Sequence, residues 1–178
     1  MDFLYQDPYP ILKDDTQYKK LTSDYVKVEQ LGDREILVVD PKGLELLAQE
    51  AMDDVSFMLR SAHLQKLRNI IEDPEATDND RFVAYNLLQN AAVAVEGQLP
   101  SCQDTGTAIV VAKKGENVYT GVDDGEWLSK GIYNTYQNKN LRYSQIVPIS
   151  MIEEKSSGSN LPAQIDIYAK KGNSYEFL

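Results

Sequence analysis

Alternation of apolar and polar residues is the first clear pattern along the chain, and it predicts a β-hairpin. Residues 25–31 alternate in period two, Gly32 and Asp33 supply a turn, and residues 34–39 form the returning strand. The same reasoning predicts two further hairpins, formed by residues 108–112 with 118–120 and by residues 161–169 with 175–178. The sheets are therefore expected to be built from hairpins.

Apolar residues at helical spacing predict four helices in the rest of the chain. Capping or helix-breaking residues mark where these helices begin and end. The first helix begins at Asp40-Pro41, and the second lies between Ser61 and Asp73-Pro74. The third begins at Thr77 with Asp80 and ends at Gly97, and the fourth begins at Asp123-Asp124. Hairpin-built sheets flanked by helices make an α+β fold class.

Two segments are expected to lack regular structure. Residues 1–20 carry aromatic residues and prolines and predict an extended arm that packs on the domain, and the small, polar residues 153–160 predict a flexible surface loop. The chain stops inside its last predicted strand, which is unusual for a natural domain boundary. Residues 1–178 are therefore expected to be a fragment of a longer protein.

Composition and charge narrow the classes of partner. The chain has 28 acidic and 18 basic residues and a net charge of −10, which repels nucleic acid and anionic membrane surfaces. One cysteine excludes an intrachain disulfide, and neither a signal peptide nor a long apolar run is visible. We therefore expect a cytoplasmic protein without nucleic-acid or membrane partners.

That single cysteine lies in the segment with the clearest chemical potential. Cys102 is followed by Gln103 and Asp104 in a turn-forming stretch between Pro100 and Gly106, where a bent backbone can aim several polar groups at one point. A lone cysteine is more often a buried apolar residue, but its polar neighbours favour a binding loop, for a metal or for catalysis. The loop follows a predicted helix C-terminus, which does not lower a thiol pKa, so a metal ligand is favoured over a free thiolate.

Other residues that could form a catalytic or metal-binding site have weaker support in the sequence. His63 on a predicted helix is more typical of an ordinary helical residue than of the base in a Cys-His pair. One Cys with one His is too few for a zinc site unless carboxylates join in, and one cysteine is too few for an iron–sulfur cluster. Asp123 and Asp124 are better explained by helix capping than as a catalytic carboxylate pair. Arg142, in an amide-rich loop, is equally consistent with bidentate binding of a carboxylate and with a surface ion pair.

Several stretches together resemble a known family. Besides Leu99-Pro100-Ser101-Cys102-Gln103-Asp104-Thr105-Gly106-Thr107-Ala108, these are residues 131–136, 140–145 and 160–166, with weaker agreement around 21–23 and 62–63. In this order they are similar to the iron–sulfur dependent class I fumarate hydratases, over essentially the whole chain. The family is related to tartrate dehydratase.

The resemblance implies a hydro-lyase that interconverts fumarate and malate, a reaction of the tricarboxylic acid cycle, by means of a [4Fe-4S] cluster held by three cysteines. Cys102 would be one cluster ligand. Gln103 and Asp104 would face the dicarboxylate substrate, with Asp104 in proton transfer, and Arg142 would bind a substrate carboxylate. The full-length protein is expected to be a homodimer.

The chain also departs from the family. The family's Lys-Gly-Gly-Gly-Ser segment, its other two ligand cysteines and its second domain are absent from these 178 residues. Residues 1–178 thus resemble a truncated N-terminal domain of the family. The fragment alone is therefore expected to bind no stable cluster and to be inactive. A tartrate dehydratase type of hydro-lyase and a non-catalytic binding or assembly module remain the alternatives.

Overall fold

The computed structural model describes residues 3–10, 17–102 and 106–178. These residues form four helices and eight strands, which confirms the predicted α+β class. The helices are α1 (Pro41–Phe57), α2 (Ser61–Glu72), α3 (Asp78–Ala94) and α4 (Asp124–Asn138). The strands are β1 (Val26–Leu31), β2 (Arg34–Val39), β3 (Ile109–Gly115), β4 (Val118–Tyr119), β5 (Ile146–Pro148), β6 (Glu154–Ser156), β7 (Gln164–Lys170) and β8 (Tyr175–Phe177).

The helix starts follow the capping residues. The Asp40 carboxylate accepts a backbone N–H of the first turn of α1 at 2.8 Å. Thr77 and Asp80 form a reciprocal capping box at the start of α3. At α2 the structure differs by one position: Arg60 is the N-cap without a side-chain cap, and Ser61 is the first helical residue.

The first predicted hairpin is confirmed. β1 and β2 pair antiparallel from Val26 opposite Val39 to Leu31 opposite Arg34, and Gly32 in the turn has a φ of 61°. That backbone conformation suits glycine because it has no Cβ. β4 extends this sheet by pairing in parallel with β2.

The other two predicted hairpins are wrong, because β3 takes the central position in a second sheet ordered β7-β3-β8. β7 runs parallel to β3, from Ile109 opposite Gln164 to Gly115 opposite Lys170, and β8 pairs antiparallel on the other edge. Ala112 in β3 is 0% exposed. A strand buried this deeply needs backbone partners on both edges, so β7 and β8 lie on either side of it, and β4 pairs with β2 instead.

The turn between β7 and β8 passes across the end of β3. The N–H of Gly115 donates to the carbonyl of Ser174 at 2.9 Å, and the N–H of Asn117 donates to the carbonyl of Gly172 at 3.0 Å. A Cβ on Gly115 would lie 2.4 Å from that Gly172 oxygen. Because it has no Cβ, Gly115 lets the turn pass over the end of β3, which puts β7 and β8 on opposite sides of that strand.

The main core lies between α1 and α4 and the adjoining strands. Leu44, Leu128 and Ile132 are at most 1% exposed. The helices approach closely at Gly131, where a Cβ would lie 2.2 Å from the carbonyl oxygen of Glu45 in α1. The buried residues of this cluster are Val39, Leu44, Ala48, Phe57, Ala108, Val118, Leu128, Ile132, Tyr136 and Leu141.

The segments expected to be irregular have defined contacts. Residues 3–10 contain no helix or strand, the Asp7 carboxylate pairs with Lys113, and the Tyr9 ring lies 5.4 Å from the ring of Tyr168. The structure differs from the flexible loop expected over residues 153–160, because β6 pairs antiparallel with β5 and Asn160 is 0% exposed. No helix among the described residues has the length and apolar character needed to cross a membrane.

Candidate functional site

The Cys102 loop lies between α3 and β3, and hydrogen bonds to two helices hold its first residues. The backbone N–H and the hydroxyl of Ser101 both donate to the carbonyl of Ser56 in α1, at 2.8 and 3.0 Å. The N–H of Cys102 donates to Oδ1 of Asn90 in α3 at 2.7 Å. The Cys102 side chain is exposed and free of disulfides. This loop therefore presents a thiol on a fixed backbone, and Cys102 is not a buried core residue.

Two of the predicted site residues, Gln103 and Asp104, lie outside the described residues, which stop at Cys102 and resume at Gly106. Beyond this gap the chain is again held in place. The carbonyl of Gly106 accepts a hydrogen bond from the Asn160 side chain at 3.0 Å, and the Thr107 hydroxyl donates to Oε1 of Gln145 at 2.6 Å. Both ends of the loop are thus tied to other parts of the domain.

Arg142 lies beside these loop ends. It is exposed, and it lines a cleft of about 260 Å³ together with Ser101, Gly106 and Thr107. No carboxylate of residues 3–10, 17–102 or 106–178 forms an ion pair with Arg142. The surface ion pair that the sequence left open thus finds no partner in these ranges, and a guanidinium at a cleft is a group that can bind a carboxylate. The other cleft residues are Met52, Val55, Ser56, Pro100, Ala108, Ile109, Tyr136 and Leu141.

Asn160 joins the Cys102 loop to the Arg142 loop. Its Oδ1 accepts hydrogen bonds from the backbone N–H groups of Ser144 and Gln145 at 2.7 and 2.8 Å. Its Nδ2 donates to the carbonyl of Gly106. Burial raises the pKa of Tyr136, and the interaction of its side chain with Asn160 opposes that rise. The buried amide of Asn160 therefore connects its own segment to the residues that follow Arg142 and to the end of the Cys102 loop.

The acidic pair at the start of α4 has two different roles. The Asp123 carboxylate caps the helix by accepting two backbone N–H groups, as the sequence predicted. Asp124 instead has a side chain that is 6% exposed and pairs with Lys114 at 2.7 Å, while the hydroxyl of Tyr175 donates to it at 2.9 Å. Burial opposes its ionisation, but hydrogen bonds from Lys114, Thr120 and Tyr175 together lower the pKa of Asp124.

His63 is exposed on α2. Within the part of the chain that the structure describes, no group of three or more His, Cys, Asp or Glu residues could hold a metal ion. The described residues thus contain no complete metal site of that size, and the metal role of Cys102 stays a prediction.

A comparison of the sequence with protein families bears directly on this loop. The family described as fumarate hydratase (Fumerase) matches residues 45–178, a range that includes Cys102, Arg142 and Asn160. The chain belongs to the fumarate hydratase family. Individual relatives agree with this assignment along nearly the full chain.

Three relatives illustrate the agreement within the fumarate hydratase family. The anaerobic and aerobic class I fumarate hydratases of Escherichia coli (strain K12) are 54% and 53% identical over 176 residues, which cover 99% of this chain and 32% of each relative. Fumarate hydratase 1, mitochondrial, of Leishmania major is 53% identical over 166 residues, covering 92% of this chain and 30% of the relative. The chain spans about a third of the length of the curated relatives it matches.

The structure separates packing from site residues within the family-like stretches. In residues 131–136, Gly131 permits the close helix contact, Nδ2 of Asn134 donates to Glu45 at 2.8 Å, and the Thr135 hydroxyl donates to the carbonyl of Gln49 at 2.9 Å. This stretch therefore holds α4 against α1. Only its last residue, Tyr136, reaches the cleft.

Sequence reasoning missed the bridging role of Asn160 because the residue ends a polar, small-residue run that is typical of a surface loop. One signal was present in the sequence, because Asn160 is the first residue of the family-like stretch 160–166. Its three hydrogen bonds depend on residues distant in sequence, which a local pattern does not reveal.

Proposed function

We propose that this chain is the part of a class I fumarate hydratase that contributes one cluster ligand and one substrate-binding cation, in a protein that interconverts fumarate and malate. The observation that carries the proposal is the 53–54% identity to class I fumarate hydratases over 99% of the chain, including the Cys102 loop. The geometry supports it, because an exposed thiol and an exposed guanidinium belong to two loops that are bonded together.

Cys102 fits the role of a ligand in an iron–sulfur cluster. Its thiol is exposed while hydrogen bonds from Ser101 and from its own N–H fix the backbone. Clusters of this type are held by several cysteine thiolates, and the chain contains one cysteine, so the remaining ligands would come from other residues of the whole protein. When bound, a [4Fe-4S] cluster with an open iron would supply a Lewis acid for the hydroxyl of malate.

Arg142 would orient the substrate. A guanidinium can form two parallel hydrogen bonds with a carboxylate, which fixes the plane of that group as well as its position. With a net charge of −10, the chain repels a dicarboxylate overall, so a local cation is needed to bind it. Gln103 and Asp104 would contact the same substrate, with Asp104 moving a proton; these roles rest on the family resemblance.

The whole protein is the right material for the test. It should be prepared without oxygen, loaded with iron and sulfide, and supplied in turn with fumarate, malate and tartrate while the products are identified. We expect interconversion of fumarate and malate. Turnover of tartrate in place of fumarate would favour a tartrate dehydratase type, and an iron-loaded protein without either activity would favour a binding or assembly module. A cytoplasmic location and a homodimeric state remain predictions.

A further inference from the structure

Asn160 is connected to both halves of the candidate site but is assigned no role by the proposed function. Its side chain is fully buried, although asparagine is usually exposed. An amide has two acceptor positions on its oxygen and two donor hydrogens on its nitrogen. Here the oxygen receives the N–H groups of Ser144 and Gln145, and the nitrogen donates to the Gly106 carbonyl. The Tyr136 side chain also interacts with it.

These bonds lie next to the residues that would do the chemistry. Gly106 follows the loop that begins at Cys102, and Ser144 and Gln145 follow Arg142 along the chain. A second bond, from the Thr107 hydroxyl to the Gln145 side chain, joins the same two segments, but both of its residues are less buried than Asn160. The Asn160 amide is therefore the buried connection between the thiol-bearing loop and the cation-bearing loop.

We propose that Asn160 is a positioning residue that sets the placement of the Arg142 loop relative to the Cys102 loop, and thereby the placement of the bound dicarboxylate relative to the metal centre. The proposal rests on the proposed function for its catalytic consequence. Its structural part, the connection of two loops by one amide, is independent of that function. Small errors in such placement are costly, because about 1 Å of displacement can reduce a rate on the order of 100-fold.

Asparagine is well suited to this position. The backbone of Asn160 has a φ of 56°, a region that asparagine, aspartate and glycine adopt more readily than other residues. Aspartate would keep the acceptor oxygens for Ser144 and Gln145 but would lose both donor hydrogens. An ionised Asn160→Asp therefore replaces the donor to Gly106 with a second acceptor and also adds a buried charge, whereas Asn160→Gly removes the whole side chain while preserving the backbone.

The chain offers a matched control. Asn173 is exposed in the turn between β7 and β8 and does not line the cleft. Asn173→Asp and Asn173→Gly therefore make the same substitutions without touching the Arg142 loop or its connection to the Cys102 loop.

The first arm of the test follows amide hydrogen exchange in the unmodified protein and in the variants. We expect the amides of Ser144 and Gln145 to exchange at least about 100-fold more slowly than unfolded amides, and Asn160→Gly to abolish this protection while the β3 amides stay protected. Exchange of both amides at nearly the unfolded rate in the unmodified protein would overturn the proposal. This result does not require any variant to fold.

The second arm measures kinetics and iron content in the whole, loaded enzyme. We expect Asn160→Asp to reduce kcat per loaded cluster at least 10-fold with KM changed less than threefold and with iron content unchanged, while Asn173→Asp is unaffected. Unchanged kcat per loaded cluster would show a merely structural role and overturn the proposal. Absence of fumarate turnover in the parent enzyme would instead overturn the proposed function, and the exchange arm would still report on the connection between the loops.

Discussion

At the scale of single residues, Arg142 has the most direct expected effect on substrate binding. Replacing Arg142 with alanine removes hydrogen bonds from a charged donor, each worth about 1.5–3 kcal/mol. In the whole enzyme, Arg142→Ala should weaken binding of fumarate and malate at least about 10-fold, because one such bond corresponds to that factor. Arg142→Lys should recover only part of the affinity, because an ammonium group cannot pair in the planar bidentate manner.

Isothermal titration or inhibition by unreactive dicarboxylates measures this affinity separately from turnover. Arg34→Ala is the matched control, since Arg34 is exposed at the start of β2 and does not line the cleft. Unchanged dicarboxylate affinity in Arg142→Ala would show that the guanidinium does not contact the substrate.

Asp124 should give the domain a specific dependence on pH. Its pKa is lowered in the folded state, so its contribution to stability is complete above the ordinary carboxyl pKa of about 4 and is lost as pH falls through the folded value. Asp124→Asn should lower the thermal unfolding midpoint at neutral pH and make the midpoint less dependent on pH in the acidic range. Thermal unfolding followed by circular dichroism from pH 7 to about pH 3 measures both effects.

Glu126→Gln is the control for this prediction, because Glu126 is an exposed acidic residue in the same helix turn.

The stability of the domain at alkaline pH offers a second check of the contact between Tyr175 and Asp124. Burial and the Asp124 carboxylate raise the pKa of Tyr175, so its contribution is complete below about pH 10 and is lost above it. An Asp124→Asn profile parallel to that of the parent would contradict the assignment.

At the scale of elements, the contact between α1 and α4 depends on glycine. The Cβ of Gly131→Ala would lie 2.2 Å from a backbone oxygen of α1, so the helices must separate. Overpacking of this kind costs about 1–3 kcal/mol, and we expect a lower free energy of unfolding in denaturant titrations. Gly125→Ala, in the first turn of the same helix, is the control and should cost much less, because its Cβ would meet a side-chain oxygen, that of Asp123 at 3.2 Å, and no backbone atom. Equal stability of both variants would contradict this helix contact.

The helices and strand pairings also show which parts of the fold could be predicted from the sequence. The four helices were predictable because caps such as Asp40 and Thr77 act on neighbouring residues. The β1–β2 hairpin was predictable because its turn and alternation are local. The pairing of β3 with β7 and β8 was not, because it depends on which strand is buried in the centre, and that is decided by contacts between distant segments.

At the scale of the whole molecule, the proposed cluster site needs more cysteines than this chain contains. One thiol cannot hold an iron–sulfur cluster, so the isolated 178-residue chain should bind no stable cluster and should not hydrate fumarate. Anaerobic reconstitution followed by iron analysis and a fumarate hydration assay measures this. Four iron atoms per chain together with malate formation would contradict the expectation.

The site also shows the limit of sequence reasoning at this scale. Cys102 and Arg142 were singled out by their local settings and by the family resemblance, and the structure places Arg142 at a cleft between the ends of the Cys102 loop. The residue that joins the two loops, Asn160, was not singled out, because its bonds link segments that are far apart in sequence. Gln103 and Asp104 lie outside the described residues, so their roles remain predictions.

The central claim is that Cys102 is a cluster ligand of a fumarate hydratase, and iron content tests it most directly. The measurement is iron per protomer, together with fumarate turnover, in the anaerobically loaded whole protein and in its Cys102→Ser variant, with Gln98→Ser as a control in the same exposed segment. We predict that Cys102→Ser loses most of its iron and its turnover, that its thermal unfolding matches that of the cluster-free parent, and that the control is unchanged. A Cys102→Ser protein with the parent's iron content and turnover would contradict the account.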